Sequence, residues 1–148
     1  TTTGYTAGAG SFARTTAQQY HGAYSAIYTP SAAVGDGCYY TFTTTNATRA
    51  ISCKFLGIAG LSYTFSIATT GVVDLQSTTF IASGRWQWIW FYFAETGATT
   101  RRIYWKKNNH ASVAPLYFDG VQSEIIQAAH THKEMRQRLR KVGPWDEA

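Results

Sequence analysis

Gly84-Arg85-Trp86-Gln87-Trp88-Ile89-Trp90-Phe91-Tyr92-Phe93 is the most aromatic stretch of the chain, and its reading decides the fold. On a helix these rings would wrap the whole circumference. On a strand, period two sorts them into two rows. Trp86, Trp88, Trp90 and Tyr92 take one parity, and Ile89, Phe91 and Phe93 the other. A strand with one dry face needs large rings on one side only. Either both faces are covered, therefore, or the outer face binds something.

The composition around this stretch agrees with a strand. Of 148 residues, 14% are charged and 16% aromatic, with Thr, Gly, Ala and Tyr abundant, which is the make-up of an all-β protein with many turns. The length reads as one domain with a core large enough to fold unaided. No apolar run approaches the ~20 residues of a membrane span. The chain has no signal-peptide pattern and opens on Thr1, which reads as a processed or trimmed N-terminus.

The net charge of +5 is unevenly placed. Before residue 101 stand Arg14, Arg49, Lys54 and Arg85 against Asp36, Asp74 and Glu95; the basic excess lies in one late strand and the C-terminal segment. A nearly neutral, hydroxyl-rich and aromatic body suits neutral ligands or protein partners. A nucleic-acid reader would spread Lys and Arg over its binding face, so no nucleic-acid partner is expected.

Strand-like segments follow one another at short intervals, separated by Gly, Pro and Asn turns. They are Ser11–Thr15, Ala23–Thr29, Cys38–Thr44, Ala50–Leu56, Tyr63–Ala68, Val72–Leu75, Thr78–Ile81, Trp86–Ala94, Thr100–Lys106 and Pro115–Phe118. Residues 1–10 read as an extended arm or first edge strand. Gly8-Ala9-Gly10 there reads as a flexible turn, since no strand–helix unit surrounds it to make a phosphate cradle. If Cys38 and Cys53 lay on a hairpin turning near Asn46, the two thiols would face each other and could bond; the preferred reading is two small buried hydrophobes. Asn46-Ala47-Thr48 is a glycosylation sequon in an expected turn.

At Ser123 the pattern changes. Ser123 can cap a helix, with Glu124 in its first turn. Ile125, Ala128, His132, Met135, Leu139 and Val142 recur at three-four spacing, and Gly143-Pro144 would end it. So narrow a stripe forms a marginal helix alone and must pack on its own sandwich or on another subunit. The domain reading is an arm over residues 1–10, a sandwich over 11–122, and a helix and tail over 123–148.

The order of motifs resembles jelly-roll carbohydrate-binding modules of families four and nine, and their relatives in phage tail and virion proteins. Gly22-Ala23-Tyr24-Ser25, then Tyr63-Thr64-Phe65-Ser66 or Ala50-Ile51-Ser52-Cys53, then Gly84-Arg85-Trp86, Ile103-Tyr104-Trp105 and the closing Tyr117-Phe118-Asp119-Gly120-Val121-Gln122-Ser123-Glu124 carry the resemblance. It implies a jelly-roll sandwich of roughly eight to ten strands. It also implies that Trp86, Ile89, Phe91, Phe93, Ile103 and Trp105 point inward. Trp88, Trp90 and Tyr92 would then point outward, with Arg102, Tyr104 and Lys106 beside them if the two strands share a sheet. Such a strip could stack sugar rings, join subunits, or be covered by the chain's own ends. The family often holds a structural calcium ion, for which Asp119 is the candidate ligand here, although residues 1–10 lack the second acid. No other cofactor is implied.

Catalysis finds no footing. Asp36, Asp74, Glu95 and Asp119 fall at turns or strand ends with no facing pair, and His130 and His132 would leave a helix on different sides. The resemblance, together with the surplus of interface-like surface, implies a non-enzymatic virion structural protein, a decoration, tail or fibre component, attached to other virion subunits and homo-oligomeric. The alternative is a glycan-binding module of a secreted enzyme or adhesin.

Overall fold

The computed structural model of the protein describes residues 5–126. They form ten strands: β1 (Tyr5–Ala7), β2 (Ser11–Thr15), β3 (Ser25–Thr29), β4 (Gly37–Thr44), β5 (Ala47–Leu56), β6 (Ser62–Ala68), β7 (Asp74–Ile81), β8 (Gln87–Glu95), β9 (Thr99–Lys107) and β10 (Leu116–Ile126). Two five-stranded antiparallel sheets result. The front sheet has the order β1-β4-β9-β6-β7 and the back sheet β2-β3-β10-β5-β8. The chain passes from one sheet to the other at most connections, which makes the sandwich a jelly roll, as expected.

The inner faces follow from the alternation. Trp105 of β9 stacks on Phe118 of β10 across the sandwich, with centroids 4.0 Å apart and planes within 8°. Phe65 meets Phe91 at 5.1 Å, and Phe55 meets Tyr63 at 5.0 Å. Cys38, Ile51, Cys53, Ile67, Ile89, Ile103 and Leu116 fill the spaces between the rings.

The structure corrects several expectations. Val72–Leu75 and Thr78–Ile81 are not two strands; β7 runs on through Gln76-Ser77 because β6 pairs with it continuously, with one irregularity near Ala68. The two cysteine-bearing strands do not make a hairpin, in agreement with the preferred reading of two small buried hydrophobes. Consecutive β4 and β5 lie in opposite sheets, and both thiols are free and buried. Burial pushes the Cys53 thiol up to about 12, and it accepts a hydrogen bond from Trp105 Nε1 at 3.4 Å.

Gly8-Ala9-Gly10 is a tight crossover rather than a flexible turn. It carries the chain from β1 in the front sheet to β2 in the back sheet, and Gly8 N donates to Gly37 O at 2.8 Å. A Cβ on Gly10 would lie 2.1 Å from Thr29 O.

Ser123 does not open a helix. Ser123, Glu124, Ile125 and Ile126 continue β10 opposite Ile51, Ala50, Arg49 and Thr48. The ladder satisfies backbone groups that a helix start would leave unpaired, and the β-branched Ile125-Ile126 pair favours it. Ile125, expected on a helix stripe, is an exposed strand residue. Ala128, His132, Met135, Leu139 and Val142 lie outside the described residues.

Candidate functional site

β8 and β9 do not share a sheet, so the anticipated strip divides between two outer surfaces. Trp88, Trp90 and Tyr92 stand on the outside of the back sheet. Arg102, Tyr104 and Lys106 stand on the outside of the front sheet. Period two sorts the residues of each strand into two rows, and the resemblance says which row faces out. Which strands become neighbours depends on pairing between segments far apart in sequence, and no local signal carries that.

On the back sheet, Ile89 and Phe91 enter the main core, while Trp88, Trp90 and Tyr92 pack against Ala50 and Ile126 in a second, smaller cluster. Trp88 and Trp90 stack at 5.3 Å, and Trp90 meets Tyr92 at 4.9 Å. Opposite them on β5, Lys54, Ser52 and Ala50 are all buried, though they too face away from the main core. The rings are half-buried. Trp86, expected inside, precedes the strand and rests against Tyr20 at 5.8 Å instead of joining the main core.

The front sheet builds a different surface. Pairing places Tyr39 beside Tyr104 beside Ser66, with Thr41, Arg102 and Ala68 in the row to one side and Gly37, Lys106 and Thr64 in the row to the other. The Tyr39 and Tyr104 rings lie 5.0 Å apart, tilted by 45°. The Arg102 guanidinium sits 4.2 Å above the Tyr39 ring, and its Nη1 donates to the Tyr104 hydroxyl at 3.3 Å. Lys106 Nζ lies 5.4 Å from the Tyr104 ring and forms an ion pair with Asp74 at 2.9 Å. Asp74 also accepts from Ser66 Oγ at 3.0 Å.

A chain of hydroxyl and amide groups continues the row. Thr64 Oγ1 lies 3.0 Å from Thr79 Oγ1 and donates to Asn108 Oδ1 at 2.9 Å, and Asn108 Nδ2 donates to Ser62 Oγ at 2.8 Å. The result is two tyrosine rings set among bonded donors and acceptors, with Tyr104, Ser66 and Thr64 buried and Tyr39, Arg102 and Lys106 half-buried. Arg102, Tyr104 and Lys106 were legible in the sequence. Tyr39, Asp74, Ser66, Thr64 and Asn108 were not, because only the pairing of β4, β6 and β7 around β9 brings them there.

The four carboxylates placed at turns or strand ends have structural assignments. Asp36 accepts from the backbone N–H groups of Ala9, Ser31 and Gly37. Burial opposes its ionisation, but these bonds and the Tyr28 hydroxyl outweigh that and hold it below the usual range. Glu95 accepts from Arg101 and Thr44 at one end of the sandwich. Asp74 pairs with Lys106, as above.

Asp119 accepts from Tyr20 N and His21 N on Oδ2, at 3.1 and 2.9 Å, and from Gly120 N on Oδ1 at 2.8 Å. Both its oxygens thus meet N–H donors, whereas a calcium ion needs oxygen ligands converging on one point. No cluster of three or more His, Cys, Asp or Glu occurs among the described residues. Asp119 does not fit the calcium role the resemblance implies. It ties the Tyr20-His21 loop to β10.

No protein-family model matches the chain, and no curated protein matches it. Solved structures do. The CBM22-1 xylan-binding domain from Paenibacillus barcinonensis Xyn10C is 19% identical, with a TM-score of 0.69 over 87% of this chain and 90% of that one. The C-terminal family 22 carbohydrate-binding module of Clostridium thermocellum Xyn10B is 12% identical, with a TM-score of 0.68 over 88% and 91%. A structure of a family 4 module also matches. The tailspike protein 4 active domain of bacteriophage CBA120 is more distant, at 9% identity and a TM-score of 0.56, and covers 82% of this chain and 19% of that one. At these identities the shared property is the fold: the chain has the jelly-roll fold of carbohydrate-binding modules.

Proposed function

We propose that the chain is a non-catalytic glycan-binding module that lays a polysaccharide along the outer face of its front sheet. The observation that carries this reading is the Tyr39–Tyr104 pair, ringed by Arg102, Lys106, Asp74, Ser66 and Thr64. Sugar rings present apolar C–H faces to aromatic rings and hydroxyls at their edges, so a ligand of that kind needs both elements in one place. The groups here are held in position by their own hydrogen bonds, which lowers the ordering cost of binding. The xylan-binding activity of the first fold neighbour supports the same class of ligand. Such a module works where polysaccharide is found, outside the cell or on a particle surface.

Titration calorimetry with soluble xylan, glucomannan and mixed-linkage glucan tests the reading. At least one polymer should bind, and Tyr39→Ala should weaken it about tenfold or more, the usual effect of removing a central aromatic contact. Far-UV circular dichroism verifies that the variant is folded. Absence of binding to the whole panel, or an unaffected Tyr39→Ala variant, overturns the proposal.

The Trp88–Trp90–Tyr92 cluster favours a second reading, a virion structural component in which this face joins a second copy of the chain. Light scattering should then show an oligomer that Trp90→Glu dissociates. A monomer at micromolar concentration removes this reading.

A further inference from the structure

We infer that the front face selects acidic glycans, those carrying uronic-acid carboxylates, and that Arg102 is the selecting group. The inference rests on the glycan-binding reading above and narrows its ligand class. β9 carries four cations, Arg101, Arg102, Lys106 and Lys107. Three of them are answered within the fold. Arg101 points inward and holds Glu95 through Nε at 2.8 Å and Nη2 at 3.0 Å. Lys107 is wholly buried, and its ammonium donates to the carbonyls of Ser31 and Ser112. Lys106 is neutralised by Asp74.

Arg102 has no carboxylate partner among the described residues. Its donated bond goes to a neutral hydroxyl, and its Nε is buried without an acceptor. A guanidinium offers five donors in a planar fork suited to a carboxylate, so most of its capacity is unspent. Its lateral neighbours are small. Thr41 and Ala68 flank it on either side, and neither side chain can cap it. Asp74, the nearby acid of this face, is already engaged by Lys106 and Ser66.

The face thus carries one positive charge that no carboxylate answers among the described residues, held over the Tyr39 ring and bonded to the Tyr104 hydroxyl. A neutral glycan leaves that charge unanswered. A uronate presents a carboxylate at the edge of the stacked ring, where a charge-assisted, two-point hydrogen bond can form.

The test uses one polymer in two forms, glucuronate-substituted xylan and the same xylan with its carboxylates reduced to alcohols. Calorimetry on the full chain should show about tenfold tighter binding of the acidic form at low salt, and the advantage should shrink as salt is raised. Arg102→Gln should bring the ratio of the two affinities close to one. Thr41→Asp, which places an intramolecular carboxylate across from Arg102, should do the same without touching the guanidinium. Equal affinity of the two forms in the unaltered protein overturns this inference and leaves the glycan-binding proposal standing. An acid preference that persists in both variants also overturns it, by placing the selecting charge elsewhere. Failure to bind either form, or any neutral polymer, removes both proposals.

Discussion

Replacing Glu95 by Gln tests how the sandwich is closed at one end. The Glu95 side chain is 2% exposed, and it accepts from Thr44 Oγ1 at 2.9 Å, from Arg101 Nε and Nη2 at 2.8 and 3.0 Å, and from Thr96 N at 3.1 Å. Three elements meet there, the ends of β4 and β8 and the start of β9. Gln preserves the shape and one acceptor oxygen but removes the charge that answers Arg101. Hydrogen bonds to charged groups contribute about 1.5–3 kcal/mol, and removing one partner of a buried pair costs about 3–5 kcal/mol. With Arg101 still 18% exposed and able to reach water, a loss of about 2–3 kcal/mol at neutral pH is expected.

The pH dependence fixes the cause of that loss. Hydrogen bonds from Arg101, with smaller help from Thr44 and Thr96, hold the Glu95 carboxyl below its usual value of 4.5, against the opposing effect of burial. A depressed carboxyl stabilises the fold above its unfolded pKa, and that stabilisation is lost as pH falls through the folded value. The gap between unaltered protein and Glu95→Gln should therefore be widest near pH 7 and close progressively below the usual carboxyl value. Urea melts at several pH values measure it, since urea does not screen charge. A gap of the same size at pH 7 and pH 3, or one under about 0.5 kcal/mol at pH 7, would refute the assignment of this pair as the closing contact.

Two further outcomes follow from the packing. Gly10→Ala should cost about 1–3 kcal/mol in the same urea assay, because its Cβ meets the Thr29 carbonyl and the Pro30 Cα, which cannot move aside as a flexible side chain would; an unchanged midpoint would show that the crossover is loose. Cys38 and Cys53 are at most 1% exposed with thiols pushed upward by burial, so neither should react with an aromatic disulfide reagent in the folded protein and both should react in urea; rapid native labelling of either would contradict the core described here.

The sequence made the strands legible and left their neighbours obscure, for a physical reason. Alternation is a property of consecutive residues, so Ile89 and Phe91 on one side and Trp88 and Trp90 on the other could be read within β8. The same holds for Ile103 and Trp105 against Arg102, Tyr104 and Lys106 in β9. Sheet membership is a property of segments far apart in sequence, as Gly37 opposite Lys106 and Ala47 opposite Glu95 illustrate. Nothing in β8 states that it will pair with β5, or in β9 that it will lie between β4 and β6. The reading of Ser123 as a cap failed on similar grounds: a capping residue is a local signal, and the ladder that pairs Ser123–Ile126 with Thr48–Ile51 overrode it. Glu95 looked like a turn acid because its partner, Arg101, sits six residues on, beyond a bend that the spacing did not reveal.

The two aromatic surfaces can be told apart by what lies beside the rings. On the back sheet the Trp row borders Ala50, Ser52 and Lys54, all buried, and Trp90 packs with Trp88 and Tyr92 in a cluster that includes Ala50 and Ile126. Those rings already cover neighbours of their own chain. On the front sheet Tyr104, Ser66 and Thr64 are buried too, but what borders Tyr39 and Tyr104 is polar: Arg102, Lys106 and Asp74, with the hydroxyls of Thr41, Ser66 and Thr64. Trp90→Ala should therefore act mainly on stability. Full truncation of a buried Trp costs about 3–5 kcal/mol, and a half-buried one about half of that, so a loss near 2 kcal/mol is expected. Its affinity for the polymer that responds to Tyr39→Ala should be unchanged. If Trp90→Ala instead abolishes polysaccharide binding at full stability, the ligand lies on the back sheet, and the tyrosine pair is a surface ornament of the front one.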